Sequence, residues 1–166
     1  LLGIHRHLFT DVFPEEIPVG KFRTVNITKN EPVLNGETVQ YSSHFMIQDS
    51  LAYDFEKEQN FSYSNLTNEQ KALHAMAFLA DIWQVHPFRE GNTRTVAVFG
   101  IQYLRKLGFH IDNSLFSEHA AFFRNALVLY YYQGEKQDKQ YLKMFFENLL
   151  LGKQNVLSDE ALRMKE

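Results

Sequence analysis

Apolar positions recur at helical spacing over most of this chain. The longest such run, Ala72 to Val85, is apolar on nearly every side, with Leu73, Met76, Phe78, Leu79, Ile82 and Trp83 spread around the turn. That pattern predicts a central buried helix. Just upstream, Thr67-Asn68-Glu69-Gln70 has the spacing of a capping box and supplies a start. Pro87 supplies the stop, because its ring cannot continue a helix and it biases His86 away from helical geometry. A second run follows from Thr95 to Leu107, with Val96, Phe99, Gly100, Tyr103, Leu104 and Leu107 at helical spacing, Arg105 and Lys106 in the last turn and Gly108 behind them. Helices are also predicted at Leu1 to Thr10, Ser43 to Glu56, Leu115 to Gln133 and Asp138 to Leu151, with a charged tail helix from Ser158 to Lys165.

One stretch changes period. Thr24 to Thr28 alternates polar and apolar residues, and Thr38 to Tyr41 does so again across a turn carrying Pro32 and Asn35-Gly36. This predicts a β-hairpin. A lone two-stranded ribbon is marginal in water, so it must lie on the helical body or receive a partner strand. The expected class is all-α, a helical bundle with one β-hairpin, and 166 residues with 45% apolar composition suit a single domain over 1–166.

Seventeen basic against twenty acidic residues give a net charge of -3, which offers no general field for a nucleic-acid backbone. Zero cysteines exclude disulfides and thiolate metal sites and suit a reducing compartment. No segment reads as a membrane span and none near Leu1 reads as a signal peptide, so a cytoplasmic location without membrane partners is expected.

The chemistry concentrates between the two strongest helices, in His86-Pro87-Phe88-Arg89-Glu90-Gly91-Asn92-Thr93-Arg94. An imidazole there can act as general base on an attacking hydroxyl. A carboxylate such as Glu90 can hold Mg²⁺, which takes one or two carboxylates together with phosphate oxygens and water. Gly91 leaves backbone amides bare at a helix head, and Asn92 and Arg94 offer donors to phosphate oxygens on which charge accumulates. Elsewhere, His5 and His7 lack a third zinc ligand, Gly20-Lys21 lacks the rest of a Walker loop, and Asp81 in an apolar helix requires a partner if buried.

The nine-residue run resembles the Fic signature HxFx(D/E)GNGRxxR at His86, Phe88, Glu90, Gly91, Asn92 and Arg94. Upstream, Ile4-His5, Leu8-Phe9 and Gly20-Lys21-Phe22-Arg23 look like the family's opening helix and the entry to its flap, so the resemblance covers roughly Leu1 to Gly108. It implies a Fic fold with a motif core at about 67–108 and a β-hairpin flap at about 23–42 over the active-site loop. By the same resemblance His86 is catalytic, Glu90 binds Mg²⁺, and Arg89, Gly91, Asn92, Thr93 and Arg94 bind the nucleotide. The implied reaction is transfer of AMP from ATP to a hydroxyl side chain of a target protein docked on the flap, with an antitoxin-like inhibitor as a further partner. Two positions depart from the signature. Thr93 stands where the family has glycine, or lysine in the Doc branch that transfers phosphate. Ala97 stands where a second arginine contacts the γ-phosphate and pairs with an inhibitory glutamate. Doc-like phosphotransfer and a degenerate, non-catalytic interaction module are the alternatives. Ser114 to Glu118 has the spacing of the inhibitory motif, but His119 follows it where Gly or Asn belongs.

Overall fold

Everything is built around one interior helix. The computed structural model describes residues 1–162, in which α3 (Asn68–Val85) packs against α2 (Ile47–Gln59), α4 (Asn92–Lys106), α6 (Ala120–Tyr131) and α7 (Gln140–Leu151). Its all-round apolar surface is thereby satisfied: Phe78, Leu79, Ile82, Trp83 and Val85 are each 5% exposed or less. The start of α3 is the expected capping box, with the Gln70 amide donating to Thr67 Oγ1 at 3.1 Å and the Thr67 amide to Gln70 Oε1 at 2.9 Å. Such a cap is worth about 1 kcal/mol, so the position of this helix along the chain is well fixed.

Helix α4 lies unusually close to α3. A Cβ at Gly100 would sit 3.0 Å from Leu79 Cδ1, which explains a glycine inside an otherwise amphipathic helix. The first helix, α1 (Leu2–Phe9), packs on α4, and buried residues from Val33 to Leu162 form one continuous hydrophobic cluster. Asp81, half-buried on α3, accepts a hydrogen bond from the Tyr131 hydroxyl of α6, which is the partner its position demands.

The Leu115 to Gln133 helix expected from the sequence is two: α5 (Ser114–Glu118) and α6, interrupted where His119 leaves helical geometry at φ -121° and ψ 36°. The tail appears as α8 (Asp159–Leu162); the rest of the predicted tail helix lies outside the described residues.

The expected hairpin reverses direction but forms no strand among the described residues. The Glu31 amide donates to the Glu37 carbonyl at 2.9 Å, and between them Pro32–Leu34 form a 3-10 turn that ends on left-handed Asn35. Val33, Leu34, Val39 and Tyr41 are all buried against the helices. With Val33 and Leu34 buried in succession, the segment does not keep the two-residue alternation of a ribbon. Burial in the core competes with ladder formation here, and the segment runs as a strap across the α3 end of the bundle.

Candidate active site

The chain leaves α3 at His86, which adopts φ 51° and ψ 58°, a left-handed conformation rare outside glycine. Such strain persists only where surrounding contacts over-determine it. Here Arg23, 3% exposed, provides them. Its Nε donates to the His86 carbonyl at 2.8 Å, Nη2 to the Val85 carbonyl at 3.3 Å and to the Ser42 carbonyl, Nη1 to the Val25 carbonyl at 2.8 Å, and its amide to the Pro87 carbonyl at 2.9 Å. Among the described residues no carboxylate pairs with it. The buried guanidinium is held by carbonyls, two of them at the negative end of α3, where a cation is favoured.

The other end of the loop is held from α1. His5 is fully buried, stacks on Phe88 with ring centres 3.8 Å apart, accepts from the Gly20 amide through Nδ1 at 2.9 Å and donates through Nε2 to the Glu90 carbonyl at 2.9 Å. Between these anchors Asn92, 3% exposed, accepts from the Phe88 amide at 2.9 Å and donates back to its carbonyl at 2.8 Å. The side chain of Asn92 is thus committed to closing the loop. It is the first helical residue, and the N-cap is Gly91.

Gly91 has φ 80°, and a Cβ there would lie 2.4 Å from the Phe9 ring. The absent side chain therefore makes room for α1, while the backbone still borders the cavity beside the loop.

That cavity has a volume of ≈ 370 Å³. His86, Glu90, Gly91, Asn92, Thr93 and Arg94 all border it, so the structure brings together six of the seven residues singled out from sequence. Arg89 is the exception, being exposed and not on the cavity wall. A larger depression of ≈ 660 Å³ lies between the C-terminal end of α4 and α7, away from this loop.

His86 is only 3% exposed, yet it borders the cavity. Its Nδ1 lies 3.1 Å from the Trp83 carbonyl, which can only accept, so the proton is on Nδ1 and the Nε2 lone pair is free. Nε2 has no partner among the described residues and is not among sealed, unsatisfied atoms, so it opens on the cavity. Tyr41 stacks on the ring at 3.9 Å and Trp83 meets it edge-on at 5.1 Å. Burial, then the charge of Lys29, with Arg23 and Arg124 adding to it, push the pKa down from 6.5 to about 3 against the opposing hydrogen bond to Trp83. At neutral pH the ring is an uncharged base.

Thr93 is held by α3: Trp83 Nε1 donates to its Oγ1 at 2.9 Å. Arg94 lies over the Phe9 ring at 4.6 Å. Glu90, half-exposed, pairs with Lys29 of the strap at 3.1 Å. Among the described residues no three His, Cys, Asp or Glu side chains converge on a metal site. One exposed carboxylate beside a polyanion-sized cavity is nevertheless a donor set that fits Mg²⁺, since phosphate oxygens and water complete its shell.

Two further cavity residues, Lys29 and Arg124, come from outside the motif. With Arg94 they bring three cations to the cavity wall, two of them already paired, Lys29 with Glu90 and Arg124 with the buried Glu31, and the heads of α4 and α6 face the same space. Three cations against two carboxylates leave a positive excess beside this cavity in an otherwise acidic chain, which suits a polyphosphate.

The Fic/DOC family model matches residues 1–104. The chain belongs to the Fic/DOC family. It is 31% identical over 109 residues to the protein adenylyltransferase VbhT of Bartonella schoenbuchensis, covering 66% of this chain and 21% of that protein. It is 32% identical over 118 residues to the probable protein adenylyltransferase y4lH of Sinorhizobium fredii, covering 68% of this chain and 54% of that one. The chain thus spans about a fifth and about half of the lengths of these two relatives. The Fic fold is also that of BepC from Bartonella tribocorum, solved with bound AMPPNP, at a TM-score of 0.66 and 20% identity over 89% of this chain and 71% of that one. The N-terminal Fic domain of Bep8 from Bartonella sp. 1-1C superposes with a TM-score of 0.65 at 19% identity, over 90% and 70% of the two chains. No helix of the described residues is long and apolar enough to cross a membrane.

Proposed function

We propose that this Fic/DOC chain is a protein adenylyltransferase, moving AMP from ATP to a hydroxyl side chain of a target protein. The observation that carries the reading is the neutral His86 ring, with its Nε2 lone pair opening on a cavity walled by three cations. Nε2 takes the proton of the target hydroxyl as its oxygen attacks the α-phosphorus. The bond from that phosphorus to the bridging oxygen breaks, and pyrophosphate leaves. The amides at the head of α4 and the Arg94 guanidinium hold the phosphate oxygens as charge builds on them, and Asn92 keeps the loop in the shape that presents those amides. Glu90 would hold Mg²⁺, which would supply neutralisation of the phosphate charge. Lys29 exchanges its ion pair with Glu90 for a phosphate oxygen when nucleotide enters.

A base with a pKa near 3 is weak; burial is the main cause of the depression, and nearby cations add to it. A bound polyphosphate offsets their field and raises the basicity of His86 when the substrate is in place. By the family resemblance we assign target docking to the strap that carries Lys29.

Parallel incubations with α-labelled and γ-labelled ATP test the reading, using candidate acceptor proteins and Mg²⁺. Transfer of α label by the wild type and its loss in His86→Ala are expected. Transfer of γ label alone would assign phosphotransfer instead, and undiminished α transfer by His86→Ala would remove the general-base role.

A further inference from the structure

After Arg94, helix α4 offers the cavity no further cation, for the next four positions are Thr95, Val96, Ala97 and Val98. A separate wall of the cavity belongs to α6, which contributes Ala120, Ala121 and Arg124. Arg124 Nη2 donates to Glu31 Oε2 at 2.6 Å. Glu31 is fully buried, and its other oxygen accepts from the Tyr41 hydroxyl at 3.2 Å. A carboxylate so enclosed requires a counter-ion, which is one task for Arg124.

That task leaves most of the guanidinium unused. Of its five N–H groups, Glu31 takes one and Asn125 Oδ1, 3.4 Å from Nη1, takes a second. The others have no partner among the described residues, and the side chain is 37% exposed. Its neighbours on this wall, Ala120 and Ala121, carry only methyl groups and leave the approach open. One edge of the fork is thus anchored to the protein interior and the rest is presented to the cavity. Such pre-organisation suits phosphate recognition by arginine, because little side-chain freedom remains to be lost on binding.

We propose that Arg124 is a phosphate-binding residue of this cavity, presented by α6 and held in place by Glu31, so that the polyphosphate is gripped from α6 as well as from the active loop. This rests on the nucleotide reading above, which counts Arg124 only as a nearby charge, and gives it a direct contact with phosphate.

Calorimetric titration of the whole chain with ATP and with inorganic tripolyphosphate tests it. Arg124→Lys keeps the pairing charge for Glu31 and loses the fork. The paired variant Glu31→Gln with Arg124→Gln keeps a neutral hydrogen-bonded couple, so no lone buried carboxylate threatens folding. Loss of charge-assisted hydrogen bonds should weaken both ligands by a similar factor, roughly 10- to 100-fold in the paired variant and less in Arg124→Lys. Folded variants, verified by circular dichroism, that bind tripolyphosphate within about twofold of wild type would overturn the assignment and leave the nucleotide reading standing. So would a loss confined to ATP, since that places Arg124 against the nucleoside. A wild-type chain that binds neither ligand would overturn both.

Discussion

Acidification should unfold this protein through one ring. His86 has a folded pKa lowered from 6.5 to about 3, so the native state excludes a proton that the unfolded chain accepts below pH 6.5. Stability therefore falls as pH drops through 6.5 and continues to fall until about pH 3, where the folded ring also protonates. Between pH 7 and pH 5 the unfolded chain gains about 2 kcal/mol from this single site, since each unit of pH below 6.5 is worth about 1.4 kcal/mol. His5, whose pKa burial also lowers, adds a loss of the same sign. To separate them, urea unfolding of wild type and His86→Gln should be followed through the fluorescence of Trp83, the only tryptophan, 1% exposed and in contact with the His86 ring. Gln can still donate to the Trp83 carbonyl but has no proton to take up. The wild type should lose about 2 kcal/mol more than His86→Gln over this interval. Parallel pH dependences would refute the claim that the ring is held neutral by burial and neighbouring cations.

Gly91→Ala should destabilise by about 2–5 kcal/mol, because it forces a side chain into the left-handed region and against the Phe9 ring. Thermal unfolding reads that loss, and pairing the change with Phe9→Leu should cost less than the sum of the two single changes. Thr93→Val strands the indole N–H of Trp83 and should cost about 1–3 kcal/mol. Thr93→Ser should restore most of it, with both read as shifts of the urea midpoint.

Much of the frame was legible in the sequence. The capping box at Thr67 and the proline after His86 bracket α3 within a residue, because local rules govern helix ends. The strap was less so: alternation at Thr24 to Thr28 reads as a strand, yet what decides its conformation is burial of Val33, Leu34 and Tyr41 against helices far along the chain. The break at His119 carries no glycine or proline to mark it. Within the site, six of the seven residues named from sequence border the cavity, whereas Arg89 is exposed and not on its wall. Arg23, Lys29 and Arg124 reach the loop or the cavity only through tertiary folding. Arg23 stood in the match to the family's flap entry, and Arg124 left a trace as a single charge inside the apolar run Ala120 to Tyr131, where an unpaired cation would be costly. His5 was named through the Ile4-His5 match to the family's opening helix, and its stacking on Phe88 comes from the fold.

The ties from His5 to Phe88 and Glu90 carry an engineering consequence. Grafting α3 and α4 with their connecting segment onto another scaffold would transfer the chemical groups without the brace that shapes them. The smallest portable cassette must also include the opening eight-residue helix, more than seventy positions upstream of His86.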